Sequence, residues 1–327
     1  MTVSLVGIGI FQAVLYLLFI RAIDLYEREG FRYVLPVFIW GFTVAVVVAF
    51  VFNTLASITI STIATRQAAD FLTPVFVAPV VEESIKGLGL LLTFAVAYSA
   101  AGRRRAVEFS GVMDGIVYGS AVGFGFAIAE DLLYLAQAGP ETFVVRRVFG
   151  GFAHAAFTSL IGVGIGLIPW VRYRALKILL PIMGLCGAML LHSIFNLTAT
   201  LFGVLAYVLM FFVVLAYITL ILAWLAVERR AIREELREEV AAGTISAEEY
   251  EILPTYFRRT GYYLRLILSG HLPTWRRARK VHGAAVDLAF TKRLARNAHT
   301  SPQSERIGNL RRRIYELRGP APQAARP

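Results

Sequence analysis

Between Lys177 and Glu228 the chain runs for 50 residues without a single Asp, Glu, Lys or Arg. A helix of about 20 apolar residues crosses a hydrocarbon core of roughly 30 Å, so this run is too long for one span and fits two, joined by a tight turn near Thr198 to Gly203. The same length rule gives candidate spans near residues 3–20, 34–56, 71–100, 109–136, 148–170, 178–198 and 204–226. Composition agrees: 57% of the chain is hydrophobic and 17% charged, with a mean hydropathy of +0.64, whereas a soluble domain is about 25% charged. A disordered, collagenous or disulfide-stapled secreted chain is excluded. The expected fold is an all-α, polytopic membrane helix bundle of about seven transmembrane helices.

Charge divides the chain. Residues 1–227 carry a net +2 and residues 228–327 a net +9, which predicts a transmembrane domain followed by a basic, partly helical cytoplasmic tail. Arg21, Arg28 and Arg32, then Arg103 to Arg105, then Arg172, Arg174 and Lys177 fall in alternate loops with the tail, while the opposite loops hold only Arg66, Arg146 and Arg147. The positive-inside bias therefore predicts an N-terminus outside and a tail inside. Val3 to Ile20 lacks a preceding positive charge and is followed directly by Arg21, so it reads as a first span rather than a leader. Cys186, the only cysteine, has no partner.

Within the tail, Glu228 to Ala242 reads as a charged helix continuing the last span, with Gly243 as its stop and Ser246 to Glu249 as a capping box for another helix. Basic clusters at Arg258-Arg259, Arg276 to Lys280 and Arg311 to Arg313 suit anionic lipid headgroups. No nucleic acid is expected as a partner. The final Gly-Pro-Ala-Pro-Gln segment reads as disordered.

A charge at mid-bilayer costs at least a few kcal/mol, so ionisable groups inside spans mark function. Glu82, Glu83 and Lys86 interrupt an otherwise uncharged stretch, Glu130 and Asp131 close the fourth span, and His154 and His192 lie inside the fifth and sixth. Asn196 follows His192 by one helical turn. Asp114 reads as a helix-start residue. At about 1.5 Å per residue, Glu130, His154 and His192 share one level in the outer half of the membrane, while Pro74 and Pro79 re-angle the chain ahead of the two glutamates. Gly111, Gly115, Gly119 and Gly123 form a four-residue stripe that allows close helix packing.

Peptide hydrolysis needs a base for water, donors for the oxyanion and an acid for the leaving nitrogen. Glu82 or Glu83 can be the base, His192 with Asn196 can donate to the oxyanion, and His154 or Glu130 can orient water or relay protons. A Glu/Glu/His/His set can equally hold zinc with an open position, the candidate ligands being Glu83, Glu130, His154 and His192. No His-Glu-x-x-His element is present. A catalytically silent membrane scaffold and a proton- or ion-coupled transporter are the competing readings, the latter without an internal repeat to support it.

These residues together resemble the PrsW family of intramembrane proteases, distant relatives of the type II CAAX prenyl proteases. The resemblance covers roughly residues 1–227: Glu82, Glu83 and Lys86 match the family's Glu-Glu-x-x-Lys, Phe126 and Glu130 its Phe-x-x-x-Glu, and His154 and His192 its later histidines. The resemblance implies Glu82 as the water-activating carboxylate, Glu83 and Lys86 as its close support, and His192 with Asn196 as the oxyanion site. The prenyl-protease branch carries a histidine where this chain has Glu130. The resemblance also implies a bacterial plasma-membrane protein that cleaves membrane-anchored substrates, such as anti-sigma-factor-like regulators, near the extracytoplasmic side.

Overall fold

The computed structural model describes residues 2–26, 30–104, 109, 111–298 and 302–318. Arg28 and Arg105 of the expected basic loops, and the segment Gly319 to Gln323, lie outside them. Among the described residues every regular element is a helix. The chain divides into two compact units, Met1–Asp24 with Glu29–Leu222, and Leu25–Arg28 with Ala223–Pro327.

The first unit opens with α1 (Thr2–Ile23) and α2 (Phe31–Trp40), which passes through a π-helical turn at Gly41–Ala45 into α3 (Val46–Ile63). A short α4 (Arg66–Leu72), capped by the Thr65 side chain, leads through a second π-helical turn at Thr73–Val77 into α5 (Ala78–Arg104). Then follow α6 (Val112–Gly150), α7 (Ala153–Gly166), α8 (Arg174–Phe202) and α9 (Leu205–Ala241). Five helical segments are long and apolar enough to cross a membrane: Phe31–Ile63, Val112–Arg147, Ala153–Trp170, Arg174–Phe202 and Leu205–Ala241. The apolar stretch Gly7–Ile23 and the charge-interrupted α5 complete a polytopic helical bundle. The tight turn after α8 is made by Gly203 at φ 56°, a value open to glycine at little cost.

The boundaries around the fourth and fifth spans differ from those expected. The fourth span does not stop near 136 but continues through a break at Gly139 (φ 84°), where Pro140 opens a returning helix from a position that needs no N–H. Arg146 on that return bonds Asp131, so α6 is a hairpin rather than a span and a loop. The fifth span starts five residues late, at Ala153, because the return occupies the intervening residues.

α7 and the first half of α6 are buried together in this unit, and the neighbours of α7 reach it through glycine. A Cβ on Gly115 would stand 2.0 Å from the Gly162 carbonyl oxygen, and one on Gly123 would stand 2.4 Å from that of His154. On the other flank of α7, Gly164 meets the Leu180 carbonyl equally closely. The stripe on α6 therefore lies backbone to backbone along α7, and its last member fixes where α7 begins its functional face. Phe50, Leu55, Ile182, Met183, Phe211 and Phe212 point outward and exposed, as a lipid-solvated bundle requires.

The second unit holds the end of α9, α10 (Ala247–Ile252), α11 (Tyr256–Leu268), α12 (Leu272–Ala298) and α13 (Pro302–Arg318). Gly243 at φ 70° ends α9, and Ser246 and Glu249 exchange both bonds of a capping box at the start of α10. The tail is more than partly helical: it has its own core of Ile232, Leu236, Leu253, Val281, Leu288 and Ile314, all buried. Glu239, with no exposed side-chain surface, is held by Arg311 at 2.6 Å and Lys292 at 2.9 Å. Arg259 is buried too, donating to the Leu25 carbonyl. Of the basic clusters, Arg259 is thus an internal cation of this unit, and Arg311 pairs with its buried glutamate from a half-exposed position.

Candidate intramembrane active site

α5 carries the charged knot of the site. Lys86 has no exposed surface and donates to Glu83 Oε1 at 2.8 Å and to Glu82 Oε2 at 3.5 Å, using the i,i+3 and i,i+4 spacings of one helix face. Its Nζ also lies 3.1 Å from His154 Nδ1 and 3.7 Å from the centre of the Phe126 ring. Both Glu83 oxygens are occupied, Oε1 by Lys86 and His192 Nδ1 (3.1 Å) and Oε2 by the Thr158 hydroxyl (3.1 Å). Buried carboxylates survive only when so paired and bonded.

These contacts fix the imidazole tautomers. Lys86 has protons only to give, so His154 Nδ1 accepts and its Nε2–H donates to Glu130 Oε2 at 2.7 Å. Glu83 can only accept, so His192 carries its proton on Nδ1 and, as a neutral ring, presents an Nε2 lone pair. That ring stacks on Phe157 at 5.0 Å and lies 5.2 Å from the His154 ring. Glu130 is closed from the other side by Arg146 at 2.6 Å, whose guanidinium also bonds Asp131 at 3.1 Å and lies 3.9 Å from the Tyr134 ring.

A cavity of about 870 Å³ opens over this knot, walled by α3, α4, α6, α7 and α8, with Glu82, Glu130, His154 and His192 in its lining. Of the residues expected from sequence, Glu82, Glu83, Lys86, Phe126, Glu130, His154 and His192 form one continuous contact network. Asn196 lines the cavity, but its amide donates to the Pro74 carbonyl at 2.8 Å. Across the π-helical turn the Ala78 N–H goes to Thr73, and Pro79 has no N–H to give, so Pro74 is left with an orphaned carbonyl that Asn196 satisfies. Asp114 caps its own helix by accepting the Gly111 N–H.

Three neighbours escape a reading of charge alone. Asn53 on α3 donates to Glu82 Oε1 at 3.4 Å, and its buried Oδ1 has no hydrogen-bond partner among the described residues. Thr158 lies one helical turn after His154 and holds Glu83. Arg146 reads as a loop charge until the Gly139 hairpin is known, although an acidic pair at 130–131 and a basic pair at 146–147 flanking Gly-Pro is a signal for such a fold-back.

For a metal ion the donor set is Glu82, His154 and His192, whose ligand atoms lie within 4.8 Å of one another in a fully buried position. Carboxylate and imidazole are zinc-type donors, and the Glu83 carboxylate orients His192 as an outer partner of a metal-ligating histidine does. The residues fit. Glu83 and Glu130, also expected among the ligands, bond Lys86, Thr158 and His192 in the first case and Arg146 and His154 in the second.

The pattern of the PrsW family intramembrane metalloprotease matches residues 29–221, which contain all of this network. The chain belongs to that family. It is 31% identical over 159 residues to Protease PrsW of Geobacillus kaustophilus (49% of this chain, 64% of that protein). It is 35% identical over 116 residues to Protease PrsW of Oceanobacillus iheyensis (34% and 51%) and 28% identical over 130 residues to that of Halalkalibacterium halodurans (40% and 57%). The matched segments thus span about half to two thirds of the length of these PrsW relatives. No solved structure matches the chain.

Proposed function

We propose that the chain is an intramembrane endopeptidase that hydrolyses membrane-anchored protein substrates at the Glu82 cavity. The observation that carries this reading is the gathering of Glu82, His154 and His192, all buried, at the wall of a cavity large enough to take an extended peptide. Glu82 is the base. One of its oxygens faces Lys86 and the other Asn53, which aims the carboxylate to take a proton from water. Asn53 Oδ1, beside it, accepts a hydrogen bond from that water or from a substrate N–H.

His154 and Glu130 form the proton relay, since the 2.7 Å bond between them joins the Lys86 knot to the cavity. A metal ion, when bound, would be held by Glu82, His154 and His192 and would polarise a carbonyl and acidify water, Glu82 then serving as a ligand in place of the base. The lone pair on His192 Nε2 suits that role. To donate to an oxyanion instead, His192 must first be protonated, because its Nδ1–H is committed to Glu83. By the charge bias of the loops, the N-terminus lies outside, the second unit lies in the cytoplasm, and cleavage falls in the outer half of a bacterial plasma membrane. The exposed cations of the second unit face anionic lipid headgroups.

The test is cleavage of a tethered reporter library by the reconstituted wild type and by Glu82→Gln and His192→Ala, with metal content measured on each. Loss of cleavage in both variants, with bound metal lost in parallel, is the expected result for a metal-dependent site. Equal loss without metal, insensitive to chelator, assigns Glu82 as a metal-free base. Cleavage unaffected in either variant overturns the site, and lost complex assembly with cleavage intact would make the cluster a scaffold.

A further inference from the structure

α11 has two faces of opposite character. Tyr256, Arg259 and Tyr263 turn inward at helical spacing, and the Tyr263 hydroxyl meets His282 Nδ1 at 2.8 Å. The outward face carries Phe257, Gly261, Leu264 and Leu268, the i, i+4, i+7, i+11 repeat of a single stripe. Phe257 is 85% exposed, Leu264 53% and Leu268 78%, and Leu272 at the start of α12 adds another exposed apolar side chain. Large apolar groups held out together on one face mark an interaction surface.

The surroundings of the stripe are predominantly cationic, with Glu251 beside Arg258 at 3.5 Å the acidic exception. From Ile252 to Val286 there is no Asp or Glu, while Arg258, Arg265, Arg276, Arg277, Arg279 and Lys280 are all exposed. Trp275 stands half-buried among them with the Arg279 guanidinium 5.2 Å from its ring. We propose that this face of α11, with the start of α12, lies in the headgroup layer of an anionic phospholipid bilayer, the stripe at the acyl boundary and the six cations at the phosphates. An apolar face flanked by Lys and Arg is the pattern of an in-plane helix.

Charge decides between occupants. A second copy would bring the same six cations against themselves, and a nucleic acid would meet the cations but leave the stripe in water. A bilayer satisfies both. The second unit is continuous with the membrane-span helix α9, so a contact that is weak in free solution becomes intramolecular and effective. The inference rests on the membrane setting and not on the proteolytic reading.

The experiment uses the full chain in phosphatidylcholine vesicles with and without phosphatidylglycerol, labelled with an environment-sensitive dye at Leu268→Cys in a Cys186→Ser background. Expected in the anionic vesicles are a blue shift, quenching by shallow spin-labelled lipid and protection from iodide. Combining Arg276→Glu with Arg277→Glu should lower the lipid quenching about threefold or more, and Leu264→Ser should lower it further, with circular dichroism unchanged since these side chains are exposed. Iodide access in both vesicle types overturns the proposal. So does protection that follows protein density instead of lipid charge, which would indicate a second copy, and protection that appears only on adding RNA.

Discussion

Lys86 is the residue on which the polar interior turns, because it alone faces Glu82, Glu83 and His154 at once. Replacing it with Met leaves Glu83 buried without a cation, and breaking a buried pair in this way costs about 3–5 kcal/mol. We expect Lys86→Met to lower the thermal unfolding midpoint in detergent, and Glu83→Gln added to it to recover part of the loss. An unchanged midpoint in Lys86→Met would contradict the buried pairing. The network members visible in sequence were visible for one reason: a charge or imidazole inside an apolar run is conspicuous. Asn53 and Thr158 carry no charge and give no such signal, although each holds a glutamate. Asn196 was legible as a neighbour of His192 but not in its bond, since the orphaned Pro74 carbonyl exists only once the π-helical turn and Pro79 are seen together.

At the level of elements, the glycine stripe of α6 was readable from its four-residue period, while the helix it would meet was not. The partner is α7, and the register is set where Gly123 lies against the His154 carbonyl. Gly123→Ala inserts a methyl where the backbone of α7 already stands, a form of overpacking that costs typically 1–3 kcal/mol, of that order here. Because the displaced residue is His154, cleavage should fall about 10–100-fold with every polar group of the network still present. A steady-state assay of Gly123→Ala beside an exposed control, Leu190→Ala, checks this; equal activity in both would show that the register is not fixed there. The hairpin in α6 was missed because a Gly-Pro pair reads equally well as the end of a span. The physical discriminant is electrostatic: Arg146 and Arg147 need Glu130 and Asp131 more than they need water.

Over the whole molecule the division into an apolar and a basic region was plain from charge, but the packed core of the second unit was not. Its apolar residues are spread over α9, α12 and α13 with Ile245 and Leu253 from the connections, and each of those three helices is diluted by Lys and Arg. That core has its own sensitivity to acid. Burial lowers the His282 imidazole to about 4, the pull of Glu249 notwithstanding, against about 6.5 for a free histidine. Between those values the unfolded chain binds the proton and the folded unit does not, so stability is complete above pH 6.5 and is lost as the pH falls toward 4. The full loss is on the order of 3 kcal/mol. Protease resistance of the second unit in the full chain, followed from pH 7.5 to 4, should decline across that window, and His282→Gln should flatten the decline; a flat wild-type profile would refute it. The backbone seam between α6 and α7 bears on how tolerance to substitution is distributed along the chain. In a saturation scan Gly115, Gly123 and Gly162 will rank with Glu82 and His192 as intolerant, since at each a single carbon displaces a neighbouring helix. Intolerance in this fold thus follows two separate maps, one drawn by chemistry and one by clearance, and they overlap at His154, whose ring belongs to the first and whose carbonyl belongs to the second.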